Sequence, residues 1–189
     1  DCPPGQRLQR TESLRTFFGG AEANVSVLLS QLGVPVRYVT ALPDNPIAQA
    51  AIDSLKSFGT DTRFIHRSGE RIGIYFTENG NSIRPSKVIY DLSPSSFSIL
   101  TPGTIDWNKV FDGASHFHWT GISAALTQNA ADVCREALQI AKQKGLTISA
   151  DMNYRSTLWN YGRHPSEIMP ELLGYCDIIT GDIDTADTY

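Results

Sequence analysis

Long apolar runs are missing from this chain: no stretch approaches the roughly 18 consecutive residues of a membrane-crossing helix. No charged-then-apolar segment opens it as a secretory signal would. The cytoplasm is therefore the expected compartment, with no membrane partner. Excess positive charge is missing as well. Lys and Arg number 16 against 20 Asp and Glu, for a formal net charge of -4, and the basic residues are scattered, so nucleic acid is not an expected partner. Cysteine is scarce. Cys2, Cys134 and Cys176 are odd in number and widely spaced, which excludes a disulfide framework, and two of them sit in apparent core elements as reduced, buried thiols. Also absent are the G-x-x-x-x-G-K-[ST] loop, G-x-G-x-x-G after a strand, the G-x-S-x-G elbow and Cys-x-x-Cys. Simple dinucleotide-binding and hydrolase readings fail on those grounds.

What is present suits a globular core. The chain has 189 residues, 41% hydrophobic and 19% charged, enough for one domain or most of one. It starts at Asp1-Cys2-Pro3-Pro4 without methionine and stops at Tyr189 inside what reads as the next helix, so a fragment is expected.

The most informative run is Phe17-Phe18-Gly19-Gly20-Ala21-Glu22-Ala23-Asn24, which leads into a helix ended by Gly33. Val25, Leu28, Leu29 and Leu32 recur at i, i+3, i+4 and i+7, which predicts one core-facing stripe and a left-handed glycine cap. Adjacent glycines let backbone approach a ligand, and Asn24 brings a donor and an acceptor to the first turn. The competing reading is a tight turn only.

Further along, residues 34–39 read as a β-branched strand, and Asp44-Asn45-Pro46 as a capped helix start. Ile47, Ala51, Leu55 and Phe58 give that helix its apolar spacing. Residues 71–78 and 87–91 are strand-like, joined by Asn79-Gly80-Asn81-Ser82, whose Asn-Gly is a hairpin signal; residues 8–17 are expected to join this small antiparallel sheet. Then strand and helix alternate: strand 115–119, helix 128–144 with Thr127 as N-cap, strand 146–150, a helix near 166–173, strand 177–180. Such alternation predicts parallel crossovers. Ligands bind beyond the carboxyl ends of such strands, here residues 40–44, 120–122, 151–155 and 181–182, all polar or glycine-rich.

Three constellations stand out. Asp151-x-Asn153-x-Arg155 sets a carboxylate, an amide and a guanidinium past a buried strand; Arg155 suits a carboxylate ligand, because its fork binds one bidentately. A salt-bridged loop is the alternative. Tyr75 and Tyr90 on the two hairpin arms present hydroxyls and ring faces to one ligand, or pack across strands. His116 and His118 share a strand face, but with no acidic or thiol ligand at metal spacing beside them they read as packing residues and no metal site is expected.

Together these motifs resemble the ribokinase-type (phosphofructokinase B type) carbohydrate kinases. Gly19-Gly20-Ala21-Glu22-Ala23-Asn24 through Leu32-Gly33 matches the N-terminal signature, and the hairpin resembles the family's lid. Within the family, Gly73-Ile74-Tyr75-Phe76, Arg84-Pro85-Ser86-Lys87-Val88-Ile89-Tyr90-Asp91 and Asp151-Met152-Asn153-Tyr154-Arg155 with Leu158-Trp159 are similar to 2-keto-3-deoxygluconate kinases, and His118-Trp119-Thr120-Gly121-Ile122 to the loop over the sugar.

The resemblance implies a ribokinase-like α/β three-layer sandwich with a mostly parallel sheet, incomplete at both ends. Residues 1–189 would form one partial kinase domain, with lid segments at about 7–18 and 70–92. It implies ATP and Mg²⁺ as cofactors, a small sugar acid as substrate, and a lid that pairs with a second subunit's. Gly19, Gly20 and Asn24 would hold sugar hydroxyls, Tyr75 and Tyr90 line the lid side, Ile122 give a backbone contact, Arg155 grip the carboxylate and Asp182 lie on the cofactor side. The catalytic base would fall in a Gly-Ala-Gly-Asp motif beyond Tyr189. This chain has Leu92 where those kinases carry an arginine, Ala48 where they carry a glycine, and Asp182-Ile183-Asp184-Thr185 at their Asn-x-x-Glu element. Leu92 favours an alternative, a kinase of fructose or another neutral sugar. A non-catalytic sugar-binding or dimerising module is the alternative from another class.

Overall fold

The computed structural model describes residues 1–186, so the expectation for Tyr189 lies outside the described residues. A 3-10 turn at Leu8–Arg10 precedes α1 (Ala21–Gln31), β1 (Ala41–Leu42), α2 (Pro46–Ser57), β2 (His66–Arg67), β3 (Ile74–Glu78) and β4 (Lys87–Asp91). There follow α3 (Trp107–Val110), β5 (His116–Thr120), α4 (Gly121–Ala124), α5 (Gln128–Gln143), β6 (Thr147–Asp151), α6 (Pro165–Leu173), β7 (Ile178–Thr180) and α7 (Ile183–Ala186). Strands β5, β6 and β7 pair in parallel in that order, β1 pairs in parallel with β2, and β3–β4 is the antiparallel hairpin. The α/β body with a small antiparallel appendage is the expected architecture. Among the described residues no helix is long and apolar enough to cross a membrane.

Local chemistry explains the helix starts. Asn45 Oδ1 accepts the Ala48 N–H at 2.9 Å with Pro46 in the first turn, and Thr127 Oγ1 accepts the Ala130 N–H at 3.1 Å, so each cap satisfies a donor that the helix cannot. Helix α5 then buries Ala130, Val133, Cys134, Ala137, Leu138 and Ala141, the face its spacing predicts. This face and α6 pack on Trp119, Ile148 and Ala150 of the sheet in the larger core, while Ala23, Leu42, Ala48, Ile52, Leu55 and Ile65 form a second cluster. All three thiols are free: Cys2 and Cys134 are buried and Cys176 is half-buried against the Trp119 indole N–H. Burial pushes the Cys134 thiol up to about 12, which leaves it unreactive.

Several expectations are corrected. The stripe of α1 is not core: Leu28 is 59% and Leu32 69% exposed, because α1 packs instead through the small residues Ala23 and Ser26, which allow close approach to its neighbours. On α2 the buried residues are Ala48, Ala51, Ile52 and Leu55, while Ile47 and Phe58 are exposed. Ile47 sits in the first turn and Phe58 at the C-cap, so a face extrapolated through both is rotated from the true one. Residues 34–39 form no named strand. They contribute an isolated Arg37–Asp61 bridge and the Tyr38 N–H to Asp61 carbonyl bond, since the approach to β1 meets its parallel neighbour only at intervals. Residues 8–17 do not join the hairpin as a strand; Leu8–Arg10 closes as a 3-10 turn, tied by the Leu8 N–H to Glu78 Oε2 at 3.0 Å. The tight turn of the hairpin is Ser82-Ile83, inside the Asn81–Arg84 bridge with Ser82 at φ 53°, and not Asn79-Gly80.

Candidate functional site

The site assembles at the carboxyl ends of β5, β6 and β7, where the preceding segments bring α1 and the hairpin. Two of its turns have local causes, one crowding and the other a side-chain hydrogen bond. A Cβ on Gly121 would overlap the Met152 carbonyl oxygen, so only glycine lets the β5–α4 turn lie against the end of β6. Asp151 Oδ1 accepts the Asn153 N–H at 3.1 Å and Asn153 takes φ 40°, a left-handed Asx turn that Asn tolerates. The Asp151 carboxylate and the Asn153 backbone therefore shape the loop, and Arg155 is the member that projects.

Arg155 reaches the hairpin. Its Nε donates to the Tyr90 hydroxyl at 3.1 Å and its Nη1 to the Tyr154 carbonyl at 3.0 Å. Among the described residues Nη2 has no hydrogen bond, so that nitrogen of the exposed guanidinium is left to take a ligand. Tyr90 stands directly opposite Tyr75 in the ladder, with ring centroids 6.2 Å apart and planes tilted by 46°; the two expected roles, cross-strand pair and ligand wall, coincide. Tyr75 in turn reaches α1: a Cβ on Gly19 would lie 3.5 Å from the Tyr75 hydroxyl and 3.2 Å from Asn24 Oδ1. Gly19, Asn24, Tyr75, Tyr90 and Arg155 thus form one continuous rim, with Gly20 as the residue preceding α1.

Ile122 lies half-buried on α4, its carbonyl accepting the Ala125 N–H at 3.1 Å. The link from α4 back to α1 is Glu22, which the polar Glu-x-Asn pair marks as a site residue but whose partners composition and spacing do not disclose. Its Oε1 accepts from the Thr120 hydroxyl at 2.8 Å and the Ser123 hydroxyl at 2.6 Å. The only sequence signal is its place beside Asn24, since partners about a hundred residues away leave no local pattern. Glu22 also raises the pKa of buried Tyr38, after desolvation.

Asp182 caps α7, its Oδ1 accepting the Thr185 N–H at 2.7 Å. Hydrogen bonds from Thr185, with the Arg155 charge as a smaller contribution, hold its carboxyl below the usual range. Leu92 is half-buried, and its Cδ2 lies 3.0 Å from where a Cβ on Gly73 would be. His116 Nε2 and His118 Nδ1 both lie within hydrogen-bond distance of Ser149 Oγ, at 2.7 and 2.8 Å, on the sheet face that also carries Thr120. Burial holds His118 below the ordinary imidazole range, against the opposing pull of Glu22 and Asp151, so it is neutral near pH 7.

The sequence profile of the pfkB family carbohydrate kinases matches residues 2–188. A 2-dehydro-3-deoxygalactonokinase of Haloferax volcanii is 34% identical over 158 residues, which are 84% of this chain and 49% of the relative. The crystal structure of 2-dehydro-3-deoxygluconokinase from Thermotoga maritima superposes with a TM-score of 0.93 at 39% identity, over 99% of this chain and 57% of that one. Fructokinase from Xylella fastidiosa with bound ATP has a TM-score of 0.77 at 25% identity, over 85% of this chain and 49% of that one. The chain spans about half the length of the relatives it matches.

Proposed function

The chain belongs to the pfkB family of carbohydrate kinases, and from that membership we propose that it is the sugar-binding and lid half of a cytoplasmic, ATP-dependent kinase of 2-keto-3-deoxygluconate or its galactonate epimer. The observation that carries the substrate class is the unengaged Nη2 of the exposed Arg155 guanidinium beside the Tyr90 hydroxyl, a cation placed to take a carboxylate at the mouth of a hydroxyl-lined rim. The relatives named for 2-dehydro-3-deoxy sugar acids, the same compounds as 2-keto-3-deoxy sugar acids, support that reading.

In this proposal Gly19, Gly20 and Asn24 bind sugar hydroxyls, Tyr75 and Tyr90 cover them, Ile122 supplies a backbone group and Arg155 holds the carboxylate. Phosphoryl transfer depends mainly on positioning and charge stabilisation, so a fixed acceptor hydroxyl contributes to rate as well as affinity. ATP, with Mg²⁺, supplies the phosphoryl group. The described residues do not themselves fit either: Asp182 is engaged as a helix cap and faces the Arg155 charge. We assign nucleotide, metal and catalytic base to the part of the relatives' length that this chain does not span.

Leu92 favours a second reading, a kinase of fructose or another neutral sugar, because an aliphatic side chain stands on the Tyr90 side of the hairpin in place of a second cation. The experiment that separates the two is ATP-dependent phosphorylation by the complete protein that contains this chain, with 2-keto-3-deoxygluconate, 2-keto-3-deoxygalactonate, fructose and ribose at equal concentration. Preference for the keto acids is expected; preference for fructose would replace the substrate class and leave the kinase.

The hairpin is also proposed to pair with a second copy. A two-stranded ribbon is marginal in water, and Ile74 and Ile89 are exposed on the face opposite the tyrosines. Light scattering of the complete protein should give a dimer that Ile89→Lys converts to monomer; an unchanged mass in the variant removes this contact.

A further inference from the structure

Glu22 occupies the first turn of α1, where a carboxylate favours the helix dipole, yet its side chain makes no cap bond to its own helix. It turns across to the β5–α4 junction instead. Both hydroxyl protons there converge on a single oxygen: Thr120, fully buried at the end of β5, and Ser123, on α4. Hydroxyl donors to a carboxylate are among the stronger hydrogen bonds, and Thr120 has no solvent to turn to if the acceptor is lost. Three residues from Glu22 lies Gly19, and two residues on lies Asn24; between Thr120 and Ser123 lies Ile122. The carboxylate therefore spans two sides of the site that lie about a hundred residues apart in the sequence.

We infer that Glu22 is a positioning residue that sets the spacing between the Gly19–Asn24 wall and the Ile122 wall, and that it does so as the shared hydrogen-bond acceptor of Thr120 and Ser123. This rests on the sugar-kinase reading for its consequence, while the strap itself is independent of it. Losing it frees the start of α1 to shift relative to α4, and displacements of about 1 Å in a positioned site cost up to about 100-fold in rate or affinity.

The test uses the complete protein with Glu22→Ala, Glu22→Gln and Ser123→Ala, read in two ways. Amide hydrogen exchange, with no ligand present, should quicken in Glu22→Ala at residues 19–24 and at 120–123 together, with α5 unchanged, and should return to wild type in Glu22→Gln, which keeps the oxygen acceptor. Unchanged exchange in the alanine variant overturns the strap whatever the substrate proves to be. In turnover, Glu22→Ala should raise KM for the sugar about tenfold or more and leave KM for ATP unchanged, with Glu22→Gln near wild type. Ser123→Ala should have a smaller effect, non-additive with Glu22→Ala. Equal rises in both KM values overturn the positioning role, and a glutamine variant as impaired as alanine overturns the acceptor argument. If the wild type phosphorylates none of the sugars, the kinase reading fails and the exchange result still decides the strap. Should Glu22→Ala not fold, Glu22→Gln with Ser123→Ala carries both readouts.

Discussion

Replacing Arg155 with alanine should weaken a 2-keto-3-deoxy sugar acid by about 2 kcal/mol or more, roughly 30-fold in KM, and a neutral sugar much less. The guanidinium is held by Tyr90 and the Tyr154 carbonyl, so its remaining nitrogen, Nη2, is aimed before the ligand arrives and little rotamer entropy is lost on binding. Lysine should not rescue it, since a point charge cannot reproduce the fork or the bond to the Tyr90 hydroxyl. The measurement is KM for 2-keto-3-deoxygluconate and for fructose in the complete enzyme and its Arg155→Ala and Arg155→Lys variants. Equal losses on both sugars would sink the carboxylate role and reduce Arg155 to a tether for the hairpin. That outcome would also bear on Leu92: with Arg155 not gripping an anion, nothing would stand in for the arginine that Leu92 replaces.

Gly121→Ala should destabilise the fold by about 3 kcal/mol or more, near or above the upper range for overpacking, because the added methyl meets backbone. The carbonyl of Met152 cannot move aside without shifting the end of β6, where Met152 N–H is bonded to Thr180 O of β7 at 2.8 Å. Gly181→Ala is the control. There the added Cβ would meet chiefly the terminal methyl of Met152, the far end of a flexible side chain, so the cost should be well under half as large. Denaturant melts of both variants of the complete protein distinguish the cases. Comparable stabilities would mean that the strand ends yield, and that the site is softer than its crowding indicates.

How far these features can be read from the residues depends on range. Asn45 and Thr127 announce their helices, because a cap acts within three residues, and α5 shows its buried face because its whole length packs on one sheet. The rim residues Gly19, Asn24, Tyr75, Tyr90 and Arg155 are likewise marked by local motifs, and the structure brings them together. The stripe of α1 misleads for a physical reason: periodicity reports which residues share a face, and not which face a neighbour covers. Small Ala23 and Ser26 carry little hydrophobic signal and yet decide the contact. Asn79-Gly80 has strong turn chemistry, but Gly80 is used elsewhere, since a Cβ there would come 2.6 Å from the Arg84 carbonyl oxygen. Glu22 is the extreme case, for its partners are distant in sequence and only the folded chain supplies them.

The direct opposition of Tyr75 and Tyr90 limits how this hairpin can vary over evolution. Side chains alternate along a strand, so one inserted or deleted residue within β3 or β4 would turn a tyrosine outward and present Ile74 or Ile89 to the ligand in its place. The connection at residues 79–86 lies beyond the β3–β4 register, so a change of length there leaves the tyrosine pair in phase as long as the two arms keep their count. Where a lineage does change an arm, the change should come in pairs of residues, or with a bulge that restores the phase.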